Sequence, residues 1–310
     1  MSKKVALLFP GQGSQSVGMF KDVYENFEDF RKNIQKASDV LAYDLWDIIQ
    51  NGPEDKLNAT QITQPALLAC EYGIYQLLKP HWETEIAIMA GHSLGEYSAL
   101  VCAGVLAFED ALHLVQLRGE LMQSAVPLNT GAMAAILGLE DAAILEACQK
   151  ASGTGVVEPA NYNSPGQVVI AGNSEAVNLA IDLCKSSGAK KAMLLNVSVP
   201  SHCALMRPAA DALANQIKEL SFSAPQYPVI NNVDTLIEQT PERIQDALIR
   251  QLYCPVKWTN TMHKLLTEAD TFIECGPGKI LGGLMKRVDR KRQVLPTNTL
   301  ESLQALLNAS

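Results

Sequence analysis

The chain has 310 residues, of which 47% are hydrophobic and 19% are charged, and its formal net charge at pH 7 is -8. This composition is typical of a chain that folds around a sizeable core, and the negative charge disfavours general nucleic-acid binding, which needs a basic surface. The apolar runs are too short for a secretory leader or a membrane span, and the seven scattered cysteines lack metal-ligand spacing, so we expect a cytoplasmic protein without a metal site or disulfide framework.

The first predicted strand, residues 5–9, is a continuous apolar run that ends in the glycine-rich loop GQGSQ at 11–15. The loop fails the G-x-G-x-x-G pattern of dinucleotide-binding proteins, because position 16 is serine. Ligands in an open α/β sheet bind at the carboxyl ends of strands, so the main-chain N–H of Gln12 is a candidate for a binding crevice. Predicted helices follow at residues 23–37, 41–50 and 63–78.

The most informative stretch is a predicted strand at 86–90, a tight turn and a helix at 96–106. The turn reads GHSLG at 91–95, with Ser93 at its tip. In this context G-x-S-x-G forms a nucleophile elbow, because a Cβ at either flanking glycine would clash with the crowded backbone. The first N–H groups of the helix lie beside Ser93 and lack helical partners, so they can stabilise negative charge. An ordinary turn containing serine remains the alternative.

From residue 131 the pattern changes to strands and helices in the order β-α-β-β-α-β, which is typical of a ferredoxin-like unit. Its strands are predicted at 133–138, 156–160, 168–171 and 192–199, with 161–166 as a connecting loop. We predict that residues 129–198 form an inserted subdomain. Residues 1–128 and 199–310 then form an α/β core, similar to that of hydrolases, with a parallel sheet and the nucleophile elbow. Its later strands are predicted at 229–233, 271–274 and 294–296.

A serine hydroxyl is a weak nucleophile and needs an adjacent base, for which five histidines are available. His92 is a poor choice because neighbours on a tight turn point apart. His81 is expected in a loop, and His113 and His263 fall in helical patterns. We favour His202, which stands at the junction between the inserted unit and the core, and the residues alone leave the others open.

Five motifs, in order, resemble those of the malonyl-CoA:acyl carrier protein transacylases: GQGSQ at 11–15, GHSLGE at 91–96, NYNSPGQ at 161–167, PSH at 200–202 and ECGPG at 274–278. The resemblance covers essentially the whole chain and includes the place of the inserted unit. Five ordered motifs are far more specific than a single G-x-S-x-G pattern.

The resemblance implies a role for each candidate residue. Ser93 is implied as the nucleophile and His202 as its general base and acid. The main-chain N–H groups of Gln12 and Leu94 are implied as the oxyanion hole. The main-chain carbonyl of Gln251 is implied to orient the imidazole, which accounts for the lack of an obvious catalytic carboxylate.

Arg118 lies in a predicted helix at 111–124. Taken alone, it is equally consistent with a solvent-exposed residue on the helix surface. The resemblance implies that its guanidinium binds the free carboxylate of a malonyl group. For Asn163 the resemblance implies only that the residue lines a wall of the site. A serine esterase or thioesterase that uses the same elbow is the alternative function.

The implied substrates are malonyl-CoA and the phosphopantetheine thiol of acyl carrier protein, in a ping-pong reaction without a metal or redox cofactor that supplies fatty acid synthesis. Carrier proteins of this kind are acidic, so a basic patch is expected on this negatively charged chain. The densest candidate is Lys286 and Arg287, and the second is Lys190 and Lys191, although each reads equally well as a solvated surface. We expect a monomer.

Overall fold

The structure, a computed structural model, describes residues 3–127, 129–197 and 199–309. These residues contain nine strands: β1 (Val5–Phe9), β2 (Ile86–Gly91), β3 (Gly131–Leu137), β4 (Val157–Ser164), β5 (Gln167–Asn173), β6 (Lys191–Leu194), β7 (Val229–Ile230), β8 (Thr271–Glu274) and β9 (Val294–Pro296). They also contain fourteen α-helices: α1 (Lys21–Asn26), α2 (Glu28–Leu41), α3 (Leu45–Asn51), α4 (Glu54–Leu57), α5 (Thr60–Trp82), α6 (Leu94–Cys102), α7 (Phe108–Ser124), α8 (Asp141–Ala151), α9 (Ser174–Ser186), α10 (Arg207–Glu219), α11 (Pro241–Gln251), α12 (Trp258–Glu268), α13 (Ile280–Val288) and α14 (Leu300–Leu307).

The larger sheet is parallel throughout and has the strand order β7-β2-β1-β8-β9. Its central strand β1 is buried along its whole length, because helices cover both faces of the sheet. Val5, Leu7 and Phe9 pack into the core shared with α2, α5, α6 and α7. Ala6 and Leu8 face the opposite core, which α12 and α13 close. The predicted α/β fold with a parallel sheet is confirmed.

The smaller sheet consists of β3 to β6 in the order β4-β5-β3-β6, with every neighbouring pair antiparallel. Helices α8 and α9 cover one face through a separate apolar core. This is the expected ferredoxin-like βαββαβ unit. The predicted domain boundaries fall next to residues 128 and 198, which lie outside the described residues, and the division into domains stays a prediction.

Two predicted strand boundaries in this unit are wrong. Residues 161–164 continue β4 and pair with β5, so only Pro165 and Gly166 form the turn, with Gly166 at a φ of 69°. Strand β6 ends at Leu194 instead of continuing to 199. The apolar residues that follow leave the sheet and line a cavity, and an apolar run by itself does not distinguish these two fates.

The ferredoxin-like unit is tied to the core through its strand β4. The Tyr162 N–H donates to the Val256 carbonyl at 2.9 Å, and the Val256 N–H donates to the Ala160 carbonyl at 2.9 Å. The Thr259 hydroxyl donates to the Tyr162 carbonyl at 3.0 Å. These bonds hold β4 at the end of the parallel sheet where the elbow lies.

No helix in the described part of the chain is both long enough and apolar enough to cross a membrane.

Candidate active site

Ser93 lies at the tip of the turn that joins β2 to α6, with a φ of 53°. An added Cβ at Gly91 would lie 1.8 Å from the main-chain carbon of Gly95, and one at Gly95 would lie 2.1 Å from the Phe9 carbonyl oxygen. The steric expectation for both glycines is therefore confirmed. The positive φ at Ser93 is a strained conformation for a residue other than glycine.

The Ser93 hydroxyl contacts the imidazole of His202, with 2.8 Å between Oγ and Nε2. The other ring nitrogen, Nδ1, is 2.7 Å from the main-chain carbonyl oxygen of Gln251. A carbonyl only accepts, so Nδ1 carries the proton and Nε2 presents a lone pair to the serine hydroxyl. This arrangement of the three groups can serve as a nucleophile, a base and an orienting acceptor.

The pKa of His202 lies far below its usual range. Burial is the main cause and lowers this pKa to about 3, and the nearby positive charge of Arg118 acts in the same direction. The hydrogen bond to the Gln251 carbonyl opposes the shift without overcoming it. The imidazole is therefore neutral at pH 7, which is the form that accepts a proton.

Arg118, on α7, is 1% exposed and aims its guanidinium at the elbow. Nη2 donates to Ser93 Oγ at 3.3 Å and to Gln251 Oε1 at 2.9 Å, and Nη1 donates to Gln64 Oε1 at 2.7 Å. The guanidinium also lies over the ring of Tyr97, at 5.2 Å from its centroid. Among the described residues no carboxylate forms an ion pair with it, so the buried charge is available to an anion in the cavity.

The main-chain N–H groups of Gln12 and Leu94 donate no hydrogen bond within the described residues. Gln12 follows β1, and Leu94 is the first residue of α6, where N–H groups have no helical partner. Both residues line the same cavity as Ser93. This arrangement can place two donors on a developing oxyanion.

The cavity has a volume of about 500 Å³ and lies between the parallel sheet and the ferredoxin-like unit. Ser93, His202, Arg118 and Asn163 all line it. The Asn163 side-chain oxygen lies 2.8 Å from His92 Nε2, so His92 points toward the ferredoxin-like unit and away from the serine hydroxyl. A cavity of this size suits a small acyl group with part of a longer carrier arm.

Of the remaining histidines, His113 lies in α7 and His263 in α12, as expected, and neither lines the cavity. His81 was expected in a loop, but this is wrong, because α5 continues to Trp82. The described residues contain no cluster of three side chains of the metal-binding types His, Cys, Asp and Glu.

Comparison with known proteins gives a consistent result. A family model described as acyl transferase domain matches residues 6–300. The malonyl CoA-acyl carrier protein transacylase of Escherichia coli (strain K12) is 53% identical over 284 residues, 91% of this chain and 92% of the relative. That of Haemophilus influenzae is 51% identical over 306 residues, 98% of both chains. This chain belongs to the acyl transferase family.

A solved structure of the same family is similar throughout. It is a malonyl-transacylase in complex with its type II PKS acyl-carrier protein, and it superposes with a TM-score of 0.95 at 50% identity, covering 99% of this chain and 100% of that chain. Within the acyl transferases, the resemblance to the malonyl-CoA:acyl carrier protein transacylases is thereby confirmed.

Three residues that contact the predicted site of this acyl transferase were not predicted. Asn232 accepts a hydrogen bond from the Ser93 N–H at 2.7 Å through Oδ1 and donates to the Gly91 carbonyl at 2.7 Å through Nδ2, so it holds both sides of the elbow. Gln64 binds Arg118, and Glu96 binds the Gln251 side chain at 2.7 Å. Glu96 belongs to the GHSLGE motif, which was the only sequence signal among the three.

The predicted basic residues lie apart from the cavity of the acyl transferase. Lys286 and Arg287 are exposed on α13, while Lys190 and Lys191 are exposed before and at the start of β6. None of the four lines the cavity. Their use in docking a carrier protein stays a prediction.

Proposed function

We propose that this enzyme transfers a malonyl group from malonyl-CoA to the phosphopantetheine thiol of acyl carrier protein through a malonyl ester on Ser93. The observation that carries the proposal is the buried Arg118 guanidinium, which lacks an ionic partner among the described residues and donates to the nucleophilic oxygen. The names of the relatives, and the solved complex of one of them with its carrier protein, support these substrates.

In the first half-reaction His202 Nε2 accepts the proton of Ser93 as Oγ attacks the thioester carbonyl. The carbonyl oxygen becomes negative and is stabilised by the N–H groups of Gln12 and Leu94. Losing one donor of this kind costs about 2.7–4 kcal/mol of barrier. The proton then passes from Nε2 to the departing sulfur, which leaves coenzyme A as a thiol and the malonyl group as an ester on Ser93.

The second half-reaction runs in reverse. The carrier protein's thiol gives its proton to His202 and attacks the ester carbonyl, and Ser93 regains its proton from the imidazole. These two residues supply both proton transfers, so the proposed reaction needs no metal or redox cofactor. The seven cysteines are free thiols, which favours a reducing compartment such as the cytoplasm.

Arg118 sets the choice of acyl group in this proposal. A malonyl carboxylate can accept two parallel hydrogen bonds from the guanidinium and supply the missing negative charge. An acetyl group has no carboxylate and would leave the buried guanidinium without a directly bonded negative charge. The buried cation beside Ser93 argues against the alternative function, a serine esterase or thioesterase, for uncharged acyl groups.

Intact-mass analysis tests the proposal directly. Protein mixed with malonyl-CoA should gain one malonyl group and should lose it when carrier protein with a free phosphopantetheine thiol is added. Without acceptor, malonate should be released far more slowly than the group is transferred. Rapid malonate release with no transfer to the carrier protein would identify a hydrolase instead.

The low pKa of His202 predicts an unusual pH profile for acylation by malonyl-CoA. For a histidine with the ordinary pKa of about 6.5, the neutral fraction would fall about 25-fold between pH 7 and pH 5. Since burial lowers the pKa of His202 to about 3, we expect kcat/KM to fall less than about threefold between pH 7 and pH 5. Rapid-quench measurement of the malonyl ester, with circular dichroism at each pH as a check of folding, would show this.

The low pKa of His202 affects the free energy of unfolding differently, because stability should fall as the pH is lowered while kcat/KM changes little. An unfolded chain takes up a proton at this histidine below about pH 6.5, whereas the folded protein does not until about pH 3, so this residue lowers stability as the pH falls.

For the pH profile of acylation, a tenfold loss of kcat/KM per pH unit below pH 6.5 in folded protein would contradict a neutral buried base.

Charge reversal tests the predicted docking surface. The double variant Lys286→Glu/Arg287→Glu should raise the KM for carrier protein about tenfold at low salt, because complementary charge steers association, and should leave the KM for malonyl-CoA unchanged. The double variant Lys32→Glu/Lys218→Glu makes the same charge change on α2 and α10 and should alter neither constant. Equal increases for both substrates in the first variant would argue against docking at α13.

A further inference from the structure

The charge of Arg118 is oriented by neutral groups. Its three bonded acceptors are a serine hydroxyl and the amide oxygens of Gln64 and Gln251, and Nε has no partner among the described residues. Neutral acceptors fix the direction of a guanidinium but supply no negative charge. A buried cation without a counter-charge is strongly destabilising, so a second, less direct source of compensation is expected.

Glu96 can supply such a negative charge indirectly, through one intervening side chain. It lies in the first turn of α6 and is 2% exposed. Its Oε2 accepts from Gln251 Nε2 at 2.7 Å and from the Asn232 N–H at 3.0 Å. The opposite end of the same Gln251 amide, Oε1, accepts from Arg118 Nη2 at 2.9 Å. A single amide therefore bridges the carboxylate and the guanidinium, and its two ends match the two charges.

The surroundings of Glu96 leave it poised between two ionisation states. Burial disfavours the charged form and raises the pKa of Glu96 to about 7, while the hydrogen bonds from Gln251 and Asn232 and the positive charges of Arg118 and Arg250 act in the opposite direction. Two other titratable groups are close by. Glu238 lines a small cavity together with Glu96, and the neutral Tyr97 is the next residue along α6.

We propose that Glu96 is the internal counter-charge of Arg118, acting through Gln251, and that it takes up a proton from solvent when a malonyl carboxylate binds Arg118. The inference rests on the proposed function, because the incoming carboxylate is that of the substrate. Before acylation the site contains one guanidinium and the partly ionised carboxyl group of Glu96. After acylation a second carboxylate is present. Repulsion between two negative charges in a desolvated site favours protonation of the carboxylate that is farther from the guanidinium, which is Glu96, because the malonyl carboxylate binds Arg118 directly. Glu96 is thus a positioning residue.

The proton balance of this step is separate from that of acyl transfer. The proton of Ser93 ends on the sulfur of coenzyme A, which stays mostly a thiol at pH 7. The additional proton converts the Glu96 carboxylate to a carboxylic acid. It has a short route, because the small cavity of about 10 Å³ beside Glu96 has the space of about one water molecule and extends to Glu238, which is 13% exposed.

Proton uptake during a single turnover tests the inference. Malonyl-CoA in excess is mixed with enzyme in weak buffer at pH 7 with a pH indicator, and the proton count is divided by the malonyl ester found by intact mass. Wild-type enzyme should take up as much as about half a proton per ester, since a group with a pKa of about 7 is half ionised before acylation. Glu96→Gln, which removes the charge and keeps the shape, should form the ester without uptake. Glu219→Gln, which removes an exposed carboxylate at the end of α10, is the control and should behave as wild type.

The possible outcomes distinguish failure of the proposed function from failure of the proposed role of Glu96. Absence of any malonyl ester overturns the proposed function itself. Ester formation without proton uptake in wild-type enzyme, or equal uptake in Glu96→Gln, overturns the role of Glu96 and leaves the transferase intact. If Glu96→Gln does not fold, infrared difference spectra of wild-type enzyme acylated with carbon-13-labelled malonyl-CoA decide, because a new unlabelled carboxylic-acid band supports the proposal and its absence overturns it.

Discussion

Ser93→Ala enzyme is expected to gain no malonyl mass from malonyl-CoA and to lose transfer activity by a factor of about 10⁴ or more. Alanine removes the oxygen that forms the ester, while the imidazole of His202 keeps its hydrogen bond to the Gln251 carbonyl. The base then has no proton to remove, and direct attack by the carrier thiol would need an alignment that the site does not provide. Intact-mass analysis and a coupled transfer assay measure the two losses separately.

The matched control for this variant is Ser201→Ala. Ser201 lines the same cavity, but the only hydrogen bond its hydroxyl donates among the described residues is a long one of 3.4 Å to the Val199 carbonyl. We expect this variant to form the malonyl ester at nearly the wild-type rate. Persistent labelling of Ser93→Ala, or equal loss of labelling in both variants, would be incompatible with an ester at position 93.

The elbow could be predicted from the sequence because its constraints are local. Gly91, Ser93 and Gly95 fall within five residues, and the clash that demands glycine arises from the turn itself and from β1, which packs against it. The parallel sheet was predictable for a similar reason. A strand such as residues 5–9 that is apolar at every position is buried on both faces.

The predicted base and its predicted orienting group depend on contacts between distant parts of the chain. His202 is 109 residues from Ser93, and Gln251 is a further 49 residues away. Residue chemistry alone favoured His202 without excluding the other histidines, and only the resemblance to a family pointed to Gln251. No local pattern fixes a contact with a main-chain carbonyl, because every residue has one.

The supporting amides were beyond prediction for the same physical reason. Asn232 contacts the Ser93 main chain across 139 residues, and Gln64 contacts Arg118 across 54. Asparagine and glutamine occur widely on protein surfaces, so their type alone does not indicate burial. Strand β7 was also predicted too long, because it ends at Ile230 and Asn232 contacts the elbow instead.

Arg118→Met enzyme is expected to lose its preference for malonyl over acetyl groups. Methionine fills a similar volume without charge, so the malonyl carboxylate would enter a desolvated site with no counter-charge. Removing one partner of a buried charged pair costs about 2–5 kcal/mol, which corresponds to a fall of roughly 30- to 5,000-fold in kcat/KM for malonyl-CoA. Acylation by acetyl-CoA should rise in absolute terms, because acetyl binding no longer leaves a buried guanidinium unpaired. Competition between the two thioesters, followed by intact mass, gives the ratio directly.

Arg118→Lys separates charge from geometry at the same position. A lysine ammonium keeps the positive charge but cannot donate to Gln64, Gln251 and Ser93 in the planar arrangement that Arg118 shows. We therefore expect Lys to retain part of the malonyl preference that Met loses.

The lifetime of the malonyl ester without acceptor adds an independent readout, since a carboxylate held by Arg118 fixes the acyl chain away from the path of attacking water. An unchanged malonyl-to-acetyl ratio together with an unchanged ester lifetime in Arg118→Met would show that the substrate carboxylate binds elsewhere, and the buried guanidinium would then need another explanation.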